Sequence, residues 1–141
     1  MKRTVSAALI LFATSFASTA ARAELIDPEY KAVQDKMKSE VSARCPNNAG
    51  PRHMTCFENI LQDYKSRGLM RGTTQYIDLK YGSFSAKDLN QQIIDRNKFY
   101  GQTTGSSFNL KPGEITNEMM SIEVSELHHL IDLKGGARAL Q

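Results

Sequence analysis

The sequence predicts a mainly α-helical fold, a small single-domain bundle of four to five helices tied by one disulfide. Three observations lead there. Apolar residues recur at three- and four-residue steps in several separate stretches. Helix-starting and helix-stopping residues bracket those stretches. The chain has only 2 cysteines, Cys45 and Cys56, and they lie close together behind an export-type leader.

The leader occupies residues 1–23. Lys2 and Arg3 form a short basic region, residues 5–16 form an almost uncharged apolar run, and Ala21-Arg22-Ala23 offers a small-x-small cleavage site before Glu24. The apolar run is shorter than the roughly 20 residues that a bilayer span needs. Residues 1–23 therefore read as a cleaved signal peptide, residues 24–141 as the helical domain, and no stable membrane span is expected after cleavage. The compartment that follows is the periplasm, or the exterior for a secreted product.

Cleavage also changes the charge argument. The chain carries 18 Lys and Arg against 15 Asp and Glu, a net +3. Lys2, Arg3 and Arg22 account for the whole excess, so the mature domain is neutral. Nothing in that balance points to nucleic acid.

In the mature domain, Asp27 serves as an N-cap with Pro28 at the first helical position, and Tyr30, Val33, Met37 and Val41 form one apolar stripe. That helix ends near Cys45-Pro46. A second helix is expected from Thr55, where Thr55-Cys56-Phe57-Glu58 fits a capping box, with Phe57, Ile60, Leu61 and Tyr64 inward and Gly68 as the stop. A Cys45–Cys56 disulfide then joins the end of one helix to the start of the next and favours an antiparallel hairpin. Oxidation is the expected state in an exported chain, and the turn-rich stretch between the cysteines suits a closed loop. A metal site from Cys45, His53 and Cys56 is the weaker reading, since it lacks a fourth ligand and zinc-type spacing.

Residues 73–81 carry two patterns. Ile77 and Tyr81 have helical spacing, while Ile77, Leu79 and Tyr81 alternate with charges as in a strand. Helix is favoured, because the flanking segments are helical and a strand here has only the stretch 107–110 as an obvious partner. Ser85 caps the next helix, Phe84 and Leu89 can staple its start, and Leu89, Ile93 and Ile94 face inward, with Phe99 or Tyr100 closing the end. Residues 101–113 form a polar Gly, Ser and Thr loop. The last helix spans 117–134 with Met120, Val124, Leu127, Leu130 and Ile131 inward, and 137–141 reads as a frayed tail.

Catalytic motifs are sparse. No nucleophile elbow, zincin pair, P-loop or dinucleotide fingerprint occurs, and no cofactor is expected. Glu126, His129 and Asp132 share one helical face and could act as a weak metal or acid–base set, but a solvated polar face opposite the apolar stripe is the favoured reading. Lys65, Arg67 and Arg71 form a cationic run ahead of Gly72-Thr73-Thr74, a candidate anion-binding set. The expected function is a non-catalytic module that binds another envelope or exported protein through a helix face or the 101–113 loop, of the inhibitor, immunity or secretion-accessory type. A small metal-dependent hydrolase and a binder of a small anionic ligand are the alternatives. Mass spectrometry of the exported protein should find Glu24 as its first residue; a secreted product that retains Met1 would contradict the leader assignment.

Overall fold

The computed structural model describes residues 25–46, 50–102 and 110–141. Residues 1–24, 47–49 and 103–109 lie outside them, and with them the leader, part of the turn between the cysteines and most of the 101–113 loop. The described elements are β1 (Leu25–Ile26), α1 (Pro28–Arg44), α2 (Pro51–Ser66), α3 (Thr74–Tyr81), α4 (Ala86–Phe99), β2 (Glu114–Ile115), α5 (Asn117–Leu133) and a 3-10 turn (Gly136–Leu140). The fold is mainly helical, with one disulfide.

Local chemistry accounts for most boundaries. The Asp27 carboxylate accepts from the Glu29 and Tyr30 amides at 2.9 and 3.2 Å, which starts α1. Thr73 caps α3 through the Tyr76 amide, and Ser85 caps α4 through the Asp88 amide. A hydroxyl at each position meets an amide that the first turn leaves without a partner. The 73–81 segment is therefore helical. The strand partner of β1 is β2: Leu25 pairs with Ile115 and Ile26 with Glu114, antiparallel, and the ladder continues through the Asp27 amide to the Gly113 carbonyl at 2.8 Å.

Several expectations need correction. Helix α2 starts at Pro51, not at Thr55, with Gly50 as N-cap. Proline at the first position has no amide to satisfy and a backbone angle suited to helix, so the turn winds from there. The Thr55 hydroxyl donates to the Pro51 carbonyl instead of capping. Cys56 consequently lies inside α2. Ile94, Phe99 and Tyr100 are exposed, so α4 buries Leu89 and Ile93 without them. The tail is not frayed: 136–140 forms the 3-10 turn, and Ala139 and Leu140 pack on the core.

Helices α1 and α2 form the expected hairpin. Cys45 joins Cys56 across a Cα separation of 5.6 Å, and the Tyr64 hydroxyl donates to Glu40 at 2.7 Å. As the position on α1 falls from 45 to 40, its partner on α2 rises from 56 to 64, which is antiparallel packing.

Two apolar clusters make the core. One joins Tyr30, Cys45, Ile60, Tyr64, Met70, Ile115 and Met120, from α1, α2, β2 and the start of α5. The other joins Tyr76, Ile77, Tyr81, Leu89, Ile93, Leu127, Leu130 and Ile131, from α3, α4 and the rest of α5. Helix α5 belongs to both, Met120 to the first and Leu127 to the second. Between them on the same face lies Glu123.

Replacing Cys45 and Cys56 together with Ser should leave the helix content intact and lower stability by about 3 kcal/mol, the loop-closure effect for a ring of this size. Thermal unfolding followed by circular dichroism, with and without reductant, measures it. An unchanged melting temperature would show that the packing of α1 on α2 holds without the covalent link.

Candidate functional site

The connection between α2 and α3 does more than link them. Gly68 and Gly72 both have positive φ, +70° and +75°. Each is also packed where a side chain would collide: a Cβ on Gly72 would meet Met119 Cγ at 2.7 Å, and one on Gly68 would meet Leu79 Cδ2 at 2.8 Å. Glycine at both positions lets the backbone turn tightly and approach α5 and α3. Arg71 is thereby directed inward.

Its guanidinium makes a two-bond fork on the carboxylate of Glu123, Nε to Oε2 at 2.9 Å and Nη2 to Oε1 at 2.6 Å. The Nη1 of Arg71 donates to Asp27 at 2.6 Å. From α4, Arg96 Nε donates to Glu123 Oε1 at 2.9 Å, and the Gly72 amide donates to Oε2 at 2.7 Å. Glu123 is fully buried. Arg71 lies over the Tyr76 ring at 5.0 Å and Arg96 over the Tyr81 ring at 5.4 Å, so each cation also has an aromatic face.

The electrostatics follow. Burial pushes the Glu123 carboxyl up, but the hydrogen bonds and charge of Arg71, the Gly72 amide and the charge of Arg96 hold it below its ordinary value. Asp27 behaves alike: burial raises it, and the hydrogen bonds from Arg71 and from the Tyr30 and Glu29 amides bring it below the ordinary value. Burial disfavours the Arg71 charge, but Glu123 and Asp27 more than offset that and the guanidinium stays protonated.

This network absorbs one residue of the expected anion-binding set. Arg71 directs all three of its nitrogens at carboxylates of its own chain, so little of its charge is left for a ligand. Arg67 pairs with Asp63 at 3.4 Å and lies over the Tyr64 ring at 5.4 Å. Lys65 borders a cavity of about 280 Å³ that Arg71 also reaches, together with Met70, Met119 and Ile122; Arg67 is not among its walls.

The other expected sets are also located. Among the described residues no three His, Cys, Asp or Glu side chains are grouped to hold a metal. Glu126 faces Asp78 of α3, not a ligand set with His129 and Asp132; partial burial and the hydrogen bond and charge of Asp78 raise its carboxyl, and His129 opposes this. His53 donates through Nδ1 to the Pro46 carbonyl at 2.7 Å, and both cysteines are in the disulfide.

The outer side of Arg71 opens on a cavity of about 260 Å³ between the first turn of α1, the α2–α3 connection and α3. Tyr30, Val33, Leu69 and Tyr76 give it an apolar floor, and Leu79 is one wall. Leu79 is 71% exposed although it is a large aliphatic side chain. Glu29 and Lys80 occupy the rim, 3.6 Å apart. A larger open groove, about 730 Å³, runs beside the disulfide past Arg44, Arg52, Asn59 and Asp63. Its charges are in part already paired, Arg44 with Glu40 at 3.8 Å and Asp63 with Arg67. The smaller cavity, with buried aromatic residues beneath an exposed leucine, is the candidate site.

Leu79 and Lys80 were not singled out by sequence reasoning, because an exposed leucine on a short helix resembles an ordinary core residue. Compared with protein-family models, curated proteins and solved structures, the chain matches none of them.

Acid should unfold the protein through the buried network. Glu123 and Asp27 bind protons more weakly folded than unfolded, so their contribution is full above the ordinary carboxyl values of 4.5 and 3.8 and is lost as pH falls through the depressed folded values. Glu123→Gln should cost about 3–5 kcal/mol at neutral pH, by leaving Arg71 and Arg96 buried against a neutral amide, and should flatten the acid side of the stability profile. Urea unfolding at a series of pH values measures both; an acid limb identical to that of the parent would remove Glu123 from this role.

Proposed function

We propose that this protein is an exported, non-catalytic binding module whose partner is another envelope or exported protein, held at the cavity between α1 and α3. The observation that carries the reading is Leu79, the most exposed large apolar side chain among the described residues, standing on the wall of a pocket with an aromatic and aliphatic floor. Exposing an aliphatic side chain of this size forgoes its burial, and an apolar centre within a charged rim is how protein interfaces are arranged. Anchor side chains that fill such pockets carry most of the binding energy in protein complexes.

The size of the cavity agrees. Sites for drug-sized ligands run from about 300 to 1,000 Å³, and about 260 Å³ suits one large side chain better than a small-molecule substrate. Export rests on the leader and on the disulfide, which persists in an oxidising compartment. No helix among the described residues is long and apolar enough to cross a membrane.

A photo-crosslinking amino acid at position 79, in protein expressed with its leader, should trap one discrete partner in the envelope fraction. The same label at the exposed Lys38 of α1 should not. Leu79→Asp should abolish trapping from a neighbouring label while the circular dichroism spectrum stays unchanged. Equal, diffuse labelling from positions 79 and 38 would overturn the reading.

A further inference from the structure

The rim of this cavity carries two opposite charges, and they are not held alike. Lys80 is held from several sides, although its side chain is 45% exposed. Its Nζ donates to the Tyr76 hydroxyl at 3.1 Å and lies 5.4 Å from the centre of the Tyr76 ring and 5.8 Å from that of Tyr81. Glu29 is different. Its side chain is 86% exposed, and among the described residues its carboxylate meets Lys80 alone, at 3.6 Å. A solvent-exposed ion pair of that length contributes little. The other acid at the cavity, Asp27, is taken up by Arg71 and by the first-turn amides of α1.

The asymmetry decides which charge a partner would bring. An incoming cation would find only Glu29, an exposed carboxylate of a kind that it could meet on any surface. An incoming carboxylate would find an ammonium already oriented by a hydroxyl and two aromatic faces, at the edge of an apolar pocket. It would displace one weakly held carboxylate and no buried group. We propose that the cavity recognises an acidic–apolar segment of a partner protein: a leucine-sized side chain enters beside Leu79, and the carboxylate of the adjacent Asp or Glu replaces Glu29 on Lys80. This rests on the protein-binding reading above and adds the chemistry of the partner.

The test uses the purified, isotopically labelled protein and three short peptides with blocked termini, identical except that the residue after their single leucine is Glu, Gln or Lys. Amide shifts at Tyr76, Leu79 and Lys80 should be largest for the Glu peptide and smallest for the Lys peptide. Lys80→Gln should weaken the Glu peptide about three- to five-fold, in the range of an exposed ion pair, and leave the Gln peptide unchanged. Glu29→Gln should strengthen the Glu peptide, since it removes the internal competitor; a merely structural Glu29 would not do so. Equal titration by the Glu and Lys peptides overturns the carboxylate preference, and if the shifts still map to the cavity the anchor pocket survives. Shifts that map elsewhere, or none from any peptide at millimolar concentration, overturn the proposal, while crosslinking from position 79 judges the protein-binding reading separately.

Discussion

The rest of the structure is arranged around a carboxylate that water does not reach. Glu123 sits on the inward face of α5, between the methionine that belongs to one apolar cluster and the leucine that belongs to the other. A buried ionised group needs partners that are charged and well placed, or it makes folding unfavourable. Here the partners come from separated parts of the chain: Arg71 from the α2–α3 connection, Arg96 from α4 and the Gly72 amide. Arg71 passes the constraint on to Asp27 at the start of α1. Satisfying one carboxylate thus brings four segments to the same place, at the seam between the two halves of the core.

The candidate site is a by-product of that arrangement. The connection must turn inward for Arg71 to reach Glu123, and Gly68 and Gly72 allow it. Once Arg71 is turned in, its outer side and the Tyr76 ring beneath it become the inner wall of the cavity. The cavity is therefore built against a buried, multiply hydrogen-bonded network. A pocket on such a base loses little conformational freedom when it is filled, and preorganisation of this kind is what makes a small interface effective.

Helix α1 forms the other wall, and it is held differently. Of its 17 residues only Tyr30 is buried. Val33, Met37 and Val41 pack on the core only partly buried, and discrete links add to them: the β1–β2 ladder and the Asp27–Arg71 pair at the start, the Gly113 amide on Gln34 further along, the Glu40–Tyr64 hydrogen bond and the disulfide at the end. Broad apolar packing contributes less here than on α5. With only part of this face buried, the links at the two ends help to hold α1 on α2, and a covalent link there is useful to a small core.

Much of the fold was legible along the chain, because caps and apolar periodicity act over three or four residues. Asp27 and Ser85 start helices through local hydrogen bonds, and the inward stripe of α5 is visible in spacing alone. The network also left a trace: Arg96 continues the Leu89–Ile93 stripe, and Glu123 falls between Met120 and Leu127, so each is a charge at an inward position. A charge on an apolar stripe signals a buried partner, but periodicity within one helix does not say which partner or where. The start of α2 was misread because a proline and a capping box compete locally, and both patterns were present. Arg71 looked like a free cation because its two carboxylates lie 44 and 52 residues away in sequence. By itself the sequence determined the helices, the disulfide and the neutrality of residues 24–141, all products of short-range spacing or composition. Only the tertiary structure decided which charges are buried together, which leucines stay exposed and where a cavity opens, because those depend on contacts between segments that no local pattern encodes.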